Sequence, residues 1–379
     1  MSAEDVFVRL APGVASIAAG DWDRCAGSDD PFLCHAFLAA LEESGSATLR
    51  TGWQPVPVVI DGADARPAAV MPAYVKSHSQ GEYVFDHAWA EAYGRAGGDY
   101  YPKLQIAVPF TPVPGRRLLT AEPALAPQLI AAAEAVVRSN ELSSAHATFI
   151  AEEEVPLFEA AGWLIRVDSQ FHWHNEGFAS FDDFLATLSS RKRKTIRKER
   201  ASALEGLSVE HVTGAAIAER HWDAFWRFYQ DTGARKWGRP YLTRSFFSMI
   251  GERMADRILL IFALRDGVPI AGALNLIGSD CIYGRYWGAL EEVPNLHFEI
   301  CYYQAIDVAI ARGLPRVEAG AQGSHKLARG YRPVPTWSAH FIPDRRFRAA
   351  VAEYLEAERR AVANEIAMLD EMTPFRKDG

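Results

Sequence analysis

Ile258-Leu-Leu-Ile-Phe-Ala-Leu-Arg-Asp-Gly267, then Ile270-Ala-Gly-Ala-Leu-Asn-Leu-Ile277, then Asp280-Cys-Ile-Tyr-Gly-Arg-Tyr-Trp287 reads as three successive strands. Each run is short, apolar and bounded by turn residues, as strands with covered faces are. The Asp266-Gly267 pair suits a two-residue hairpin, whose central positions need positive φ. An earlier stretch has the same order: Pro55-Val-Pro-Val-Val-Ile-Asp-Gly62, Ala68-Ala-Val-Met-Pro-Ala-Tyr-Val75, Gly81-Glu-Tyr-Val-Phe-Asp-His-Ala-Trp89. Both series run strand, Asp-Gly turn, strand, turn, strand, and both end in Trp. The chain is therefore expected to be an internal duplication.

The flanks extend the match. After each Trp come an irregular segment, a helix (127–138 and 298–312, with apolar residues at helical spacing) and a closing strand (144–150 and 316–319). Upstream, Asp21-Trp-Asp23 parallels His221-Trp-Asp223, and the helical run 32–41 parallels 241–250. Helix, helix, antiparallel strands, helix, strand is the order of an α/β unit with a mixed sheet and helices on both faces. A chain of 379 residues also exceeds what one core normally organises. The expected division is 1–170, 171–345 and a C-terminal amphipathic helix within 346–379.

Composition excludes several classes. Hydrophobic residues make up 49% and charged residues 23%, as in ordinary globular proteins. A net charge of −8 excludes a protein that coats nucleic acid with its whole surface. Cys25, Cys34, Cys281 and Cys301 form no C-x-x-C pair and read as reduced thiols. No run approaches the ~20 apolar residues of a membrane span. The start carries Glu4 and Asp5 where a signal peptide needs bases, so a cytoplasmic location is expected.

Chemistry concentrates at Glu318-Ala-Gly-Ala-Gln-Gly-Ser-His-Lys-Leu-Ala-Arg-Gly-Tyr331. An acid, an amide, an imidazole, an ammonium and a guanidinium follow an apolar strand in a glycine-broken loop, where rigid scaffolds mount reactive groups. The first half offers Asp86, His87, Trp89, Glu91 and Tyr93, with a glycine–aromatic loop running on to Tyr100 and Lys103. Read as a strand, Asp86 and Ala88 share one face, His87 and Trp89 the other. A second cationic feature is Arg191-Lys-Arg-Lys-Thr-Ile-Arg-Lys-Glu-Arg200. It reads either as a phosphate-binding helix, through Arg191, Lys192, Lys194 and Arg197, or as a solvated face. His172 and His174 alternate on an expected strand, but no third ligand stands at a recognisable spacing, so no metal is expected.

The element order resembles the GNAT acyltransferase fold, and two such units in tandem resemble the Fem-type peptidyltransferases. The segment Phe184-Leu-Ala-Thr-Leu-Ser-Ser-Arg-Lys-Arg-Lys-Thr-Ile-Arg-Lys is similar to the helix that opens the second unit in that superfamily. Asp86-His-Ala-Trp-Ala-Glu-Ala-Tyr-Gly94 and the 318–331 segment look like signatures of the FemAB-like family. The resemblance implies a tandem duplicated GNAT-like fold and transfer of an activated acyl group to an amine. A base must then reach the amine, and a cation or N–H group must hold the oxyanion. Glu318 is the first candidate base and His325 the second, with Lys326 as electrostatic stabiliser and Asp86 and His87 contributed to a central cleft by the other half. Trp89, Glu91, Tyr93, Tyr100, Lys103, Arg285, Tyr286, Trp287, Gln322 and Arg329 are candidate substrate contacts. No tightly bound cofactor is implied. The donor is acyl-CoA or aminoacyl-tRNA and the acceptor a small-molecule or peptide amine; tRNA is thus a possible partner. The R-x-x-G-x-G/A signature of a CoA pyrophosphate grip is missing from both halves. An acyl-CoA N-acyltransferase of small molecules and a non-catalytic binding module remain alternatives.

Overall fold

A computed structural model of the chain describes residues 7–236, 240–320 and 323–376. These form two compact units. The first ends at Asp168 and resumes over Pro335–Asn364; the second comprises Ser169–Val334 and the chain from Glu365 onward.

In chain order the first unit contains β1 (Val8–Leu10), α1 (Ala19–Ala26), α2 (His35–Glu43), β2 (Trp53–Pro55), β3 (Val58–Asp61), β4 (Pro67–Met71) and β5 (Ala73–Lys76). It continues with α3 (His87–Arg95), β6 (Lys103–Ile106), β7 (Leu119–Thr120), α4 (Ala126–Ser139), β8 (Ala145–Ile150) and α5 (Val155–Ala160). The crossover β6–α4–β8 sets β6 parallel to β8, while β5 and β2 extend the sheet antiparallel. Strands β1, β3, β4 and β7 form a separate small sheet. The apolar stripe of α4, with Leu129, Ile130, Ala133, Val136 and Val137, packs on Leu104, Ile106, Ala145 and Ala147. That stripe recurs at three- and four-residue steps, which is why the segment is a helix with one buried face.

The chain enters the second unit within β9 (Leu164–His174) and runs through α6 (Phe181–Thr187), α7 (Ser190–Ala203), β10 (Ser208–Thr213), α8 (Glu219–Lys236) and α9 (Arg244–Arg253). Then come β11 (Ile258–Arg265), β12 (Val268–Ile277) and β13 (Cys281–Ala289). The next helix is continuous: α10 (Leu296–Phe298), a π-helical turn (Glu299–Tyr303) and α11 (Gln304–Ala311). β14 (Arg316–Glu318) and a 3-10 turn (Ser324–Arg329) follow. Then β15 (Arg332–Phe341) carries the chain back to the first unit and α12 (Arg345–Glu371) returns it to the second. β10 to β13 form an antiparallel meander; β13 pairs parallel with β14, and β14 antiparallel with His172–His174 of β9. Thus β13–α11–β14 in this unit matches β6–α4–β8 in the first.

Asp266 and Gly267 both have positive φ, 51° and 78°, and close the two-residue hairpin that this pair predicts. Two expectations for the first half fail. Asp61-Gly62 does not form a tight turn: Gly62 opens a longer loop in which Ala65 takes the left-handed conformation at φ 60°. The stretch Gly81 to Trp89 is not a strand either. Asp86 precedes the helix α3, whose Ala-rich sequence favours helix, and Trp89 and Tyr93 then share a face one turn apart. The counterpart of β13 is β6, reached only after this inserted segment.

Candidate functional site

Strands β13 and β14 pair over three residues only, Cys281–Tyr283 with Arg316–Glu318, although β13 runs on to Ala289. Beyond that point β14 has ended and the edge of β13 is no longer paired with it. Gly284 stands at the apex: a Cβ there would lie 3.4 Å from the Glu318 carbonyl oxygen and 3.5 Å from Asn275 Oδ1. A one-residue bulge at this level, with Leu274 opposite Tyr286 and Asn275 opposite Gly284, leaves Arg285 unmatched on β13. Asn275 is fully buried; its Nδ2 donates to the Leu259 carbonyl at 3.2 Å, while Oδ1 has no hydrogen-bond partner among the described residues.

Glu318 ends β14 at this opening and is 4% exposed. Its Oε1 lies 3.3 Å from Arg316 Nε, and its Oε2 lies 3.8 Å from Nε2 of His172, its cross-strand neighbour. Burial, then the charges of Arg316, His174 and Lys326, hold the His172 imidazole well below its ordinary range. His172 is therefore a neutral neighbour of the carboxylate. The backbone then turns at Gly320 (φ 78°), and Gln322 lies outside the described residues.

The Ser324–Arg329 turn returns chemistry to the strand end. Lys326 is 1% exposed, and its Nζ donates to the Gly320 carbonyl at 2.6 Å, two residues past Glu318. Burial lowers its pKa to about 8. His325 is exposed, and its Nε2 lies 2.8 Å from the Tyr302 hydroxyl on the π-helical turn. Such turns interrupt α-helices frequently at functional sites. Arg329 is anchored, with Nη2 donating to both Glu199 oxygens at 3.0 and 3.1 Å and its guanidinium 3.3 Å over the Phe298 ring. On β13, Arg285 lies over the Tyr286 ring at 5.3 Å, and Trp287 meets His297 at the same distance. Sequence reading missed Glu199, Asn275, Arg316 and Tyr302. Glu199 alone had a signal, as the single acid in a run of cations.

The basic run forms α7. Arg191 and Lys194 are exposed and Lys192 is half-buried; Arg193 donates to the Leu188 carbonyl, and Arg197 pairs with Asp182 at 2.7 Å.

In the first unit the candidate residues separate. Asp86 is buried and accepts hydrogen bonds from Lys103 and, at 2.7 Å, from the Tyr100 hydroxyl. Lys103 also donates to Glu82 at 2.7 Å and Ser79 at 2.9 Å. Burial raises the Asp86 pKa, but Lys103 and His146 outweigh it and hold the carboxyl below its usual range. Beyond Tyr100 the network continues to His146, whose Nδ1 lies 2.7 Å from His340 Nδ1. His87 is exposed and starts α3, so it does not join this network; Glu91 is exposed beside Arg95. Trp89 and Tyr93 come together with Phe347, Val351 and Arg346 on a cavity of about 600 Å³ between α3 and α12.

The sequence profile of the FemAB-like family, described as peptidoglycan biosynthesis and recognition, matches residues 13–377. The chain belongs to the FemAB-like family. This FemAB-like protein is a transferase. It is similar to the solved structure of FemX at 12% identity, with 89% of this chain and 98% of that chain covered and a TM-score of 0.55. For L-PGS from Bacillus licheniformis the figures are 10%, 93%, 99% and 0.50. For the C-terminal domain of a putative lysylphosphatidylglycerol synthetase from Agrobacterium fabrum they are 11%, 89%, 96% and 0.53. Identities this low speak to fold, which is mixed α/β with two GNAT-like units in tandem. No curated protein matches the chain by sequence. Among the described residues no helix is long and apolar enough to cross a membrane.

Proposed function

We propose that this FemAB-like transferase moves an activated acyl or aminoacyl group onto the amine of a peptidoglycan-precursor peptide, at the opening between β13 and β14. The observation that supports this reading is that a buried carboxylate ends β14 and a buried ammonium is hydrogen-bonded to the backbone just beyond it. Glu318 ends β14, and Lys326 returns to the carbonyl two residues beyond it. Glu318 takes the proton from the attacking amine. Lys326 donates to a backbone carbonyl and forms no ion pair among the described residues, so it meets the charge that develops on the tetrahedral oxygen. His325, backed by Tyr302, is the exposed group that passes the proton onward. Arg191, Lys192 and Lys194 supply the cations for a phosphate-bearing donor, and Arg197 contributes less because Asp182 already holds it. Aminoacyl-tRNA fits this surface better than CoA, since the pyrophosphate-gripping motif is missing from both halves.

The test offers radiolabelled aminoacyl-tRNA or acyl-CoA together with a peptidoglycan-precursor peptide and follows label into the peptide. Transfer from aminoacyl-tRNA is expected in wild type. Glu318→Gln should lower kcat by at least about tenfold at nearly unchanged donor affinity, because shape is kept and the base removed. Transfer from acyl-CoA alone would favour the N-acyltransferase alternative. Precursor binding without transfer from either donor would leave a recognition module.

A further inference from the structure

Helix α7 presents two chemically different faces. Outward stand Arg191, Lys194 and Lys198, three and four residues apart and exposed, with no side-chain partner among the described residues. Inward stand Ile196, Glu199, Arg200 and Ala203. Glu199 accepts hydrogen bonds from both the Tyr303 hydroxyl and Arg329 Nη2. Arg329, 8% exposed at its side chain, also donates from Nη1 to the His325 carbonyl at 2.8 Å. That carbonyl belongs to the turn that carries Lys326. Gly330 closes the turn at φ 84° against the Phe184 ring, where a Cβ would come within 2.6 Å.

We infer that Glu199 is a positioning residue: through Arg329 it fixes the Ser324–Arg329 turn and thereby sets the Lys326 ammonium against the end of β14. A six-residue 3-10 turn is too short to hold itself, and its hydrogen bonds are poorer than those of an α-helix. Arg329 bridges helix and turn through charge-assisted bonds, Nη2 to the Glu199 carboxylate and Nη1 to the His325 carbonyl, and so supplies both orientation and strength. The Tyr303 hydroxyl also donates to Oε2 of this carboxylate and adds a second restraint against Glu199 swinging outward to the cations of its own helix. The two faces of α7 therefore do separate jobs, donor capture outside and loop placement inside. The functional importance of the placement rests on the assignment of Lys326 above; the placement itself does not.

The experiment measures Lys326 directly. The whole protein is acetylated competitively with trace acetic anhydride between pH 6 and 10, and modification of Lys326 is read by mass spectrometry. In wild type its titration is expected well below that of an ordinary lysine. Glu199→Gln keeps the size and the Tyr303 contact but loses the charge, so the turn loosens, water reaches Lys326 and its titration rises by about one pH unit or more. Arg329→Gln should do the same. The double variant should move no further than either single one, because both break one link. Glu199→Asp should recover part of the wild-type value, and it also carries the test if Glu199→Gln fails to fold. Affinity for poly(U) should be unchanged in all of these, whereas Arg191→Ala with Lys194→Ala should lose poly(U) and leave Lys326 untouched. An unmoved Lys326 titration in folded Glu199 and Arg329 variants overturns the inference, as do fully additive shifts. If the shifts occur but Lys326→Ala transfers normally, the placement stands and the catalytic assignment falls.

Discussion

Lys326 and Lys103 are both buried ammonium groups, and their surroundings push them in opposite directions. Lys326 donates to a backbone carbonyl, and burial brings its pKa down to about 8. Around Lys103, burial also lowers the pKa, but Glu82 and Asp86 overcome it and the value is raised. The consequences differ in kind. Lys326 as a charge stabiliser must be protonated, so transfer should decline as pH rises through about 8, measured as log kcat against pH with donor saturating. An undiminished rate at pH 9.5 removes Lys326 from that role. Lys103 is a structural cation. Its replacement by Met leaves Asp86 without a cation in the interior and Glu82 with only Lys76 at 3.8 Å, and should destabilise the fold by about 3–5 kcal/mol in urea titration. Adding Glu82→Gln and Asp86→Asn should return part of that loss, since neutral groups no longer need the ammonium. At this scale the sequence offered identity without environment. Glu318, Lys326 and Asp86 were legible as charged residues near strand ends, and Lys103 as a candidate substrate contact at the end of a loop. Only the fold distinguishes a cation facing a carbonyl from one shared between carboxylates.

Elements were legible where periodicity and turn chemistry agreed. The Asp266-Gly267 hairpin, the apolar stripe of α4 and the long helix α12 follow directly from residues repeating at the period of their own structure. The stretch 81–89 misled because Glu82, Val84 and Asp86 alternate as on a strand, yet all three turn out buried, two of them by charge pairing. The opening between β13 and β14 was not legible, since strand pairing is a tertiary property and Gly284 and Asn275 carry no local signal for it. Gly288 shows how tightly β13 is held elsewhere. A Cβ there would lie 2.1 Å from the Phe228 carbonyl oxygen on α8. Gly288→Ala should therefore force helix and strand apart and destabilise by about 1–3 kcal/mol or more. Gly94→Ala, where a Cβ meets nothing within 4 Å, should be silent or slightly stabilising on its helix. On α7, replacing Arg191 and Lys194 by Ala should reduce the slope of log K against log salt for poly(U) by about 0.7 for each phosphate no longer neutralised. Arg197→Ala should change it less, because the Asp182 pair already spends that charge.

Across the whole molecule, the fold opposes the ionisation of six histidines. Burial first, aided by neighbouring cations, lowers His146 to about 3, puts His172 and His340 well below their usual range, and also lowers His78, His174 and His221. In the unfolded chain these side chains take up protons as pH falls through about 6.5. The folded chain does not, so the unfolded state binds more protons and stability must fall with pH over that interval. Each fully refusing histidine contributes up to about 1.4 kcal/mol per pH unit. Four carboxyls, two buried and two half-buried, act in the opposite sense, because burial raises Glu82 to about 7 and also raises Glu154, Asp30 and Glu42. Those groups hold protons in the folded state and favour it as pH drops. Six histidines oppose four carboxyls, so a net loss of stability between pH 6.5 and 5 is the expected outcome. The urea midpoint should accordingly fall between pH 7 and 5. His340→Phe, which removes a titrating ring whose Nε2 has no partner among the described residues, should flatten that dependence. A midpoint that stays level or rises toward pH 5 in wild type would show that the buried acids, not the histidines, set the acid response of this fold.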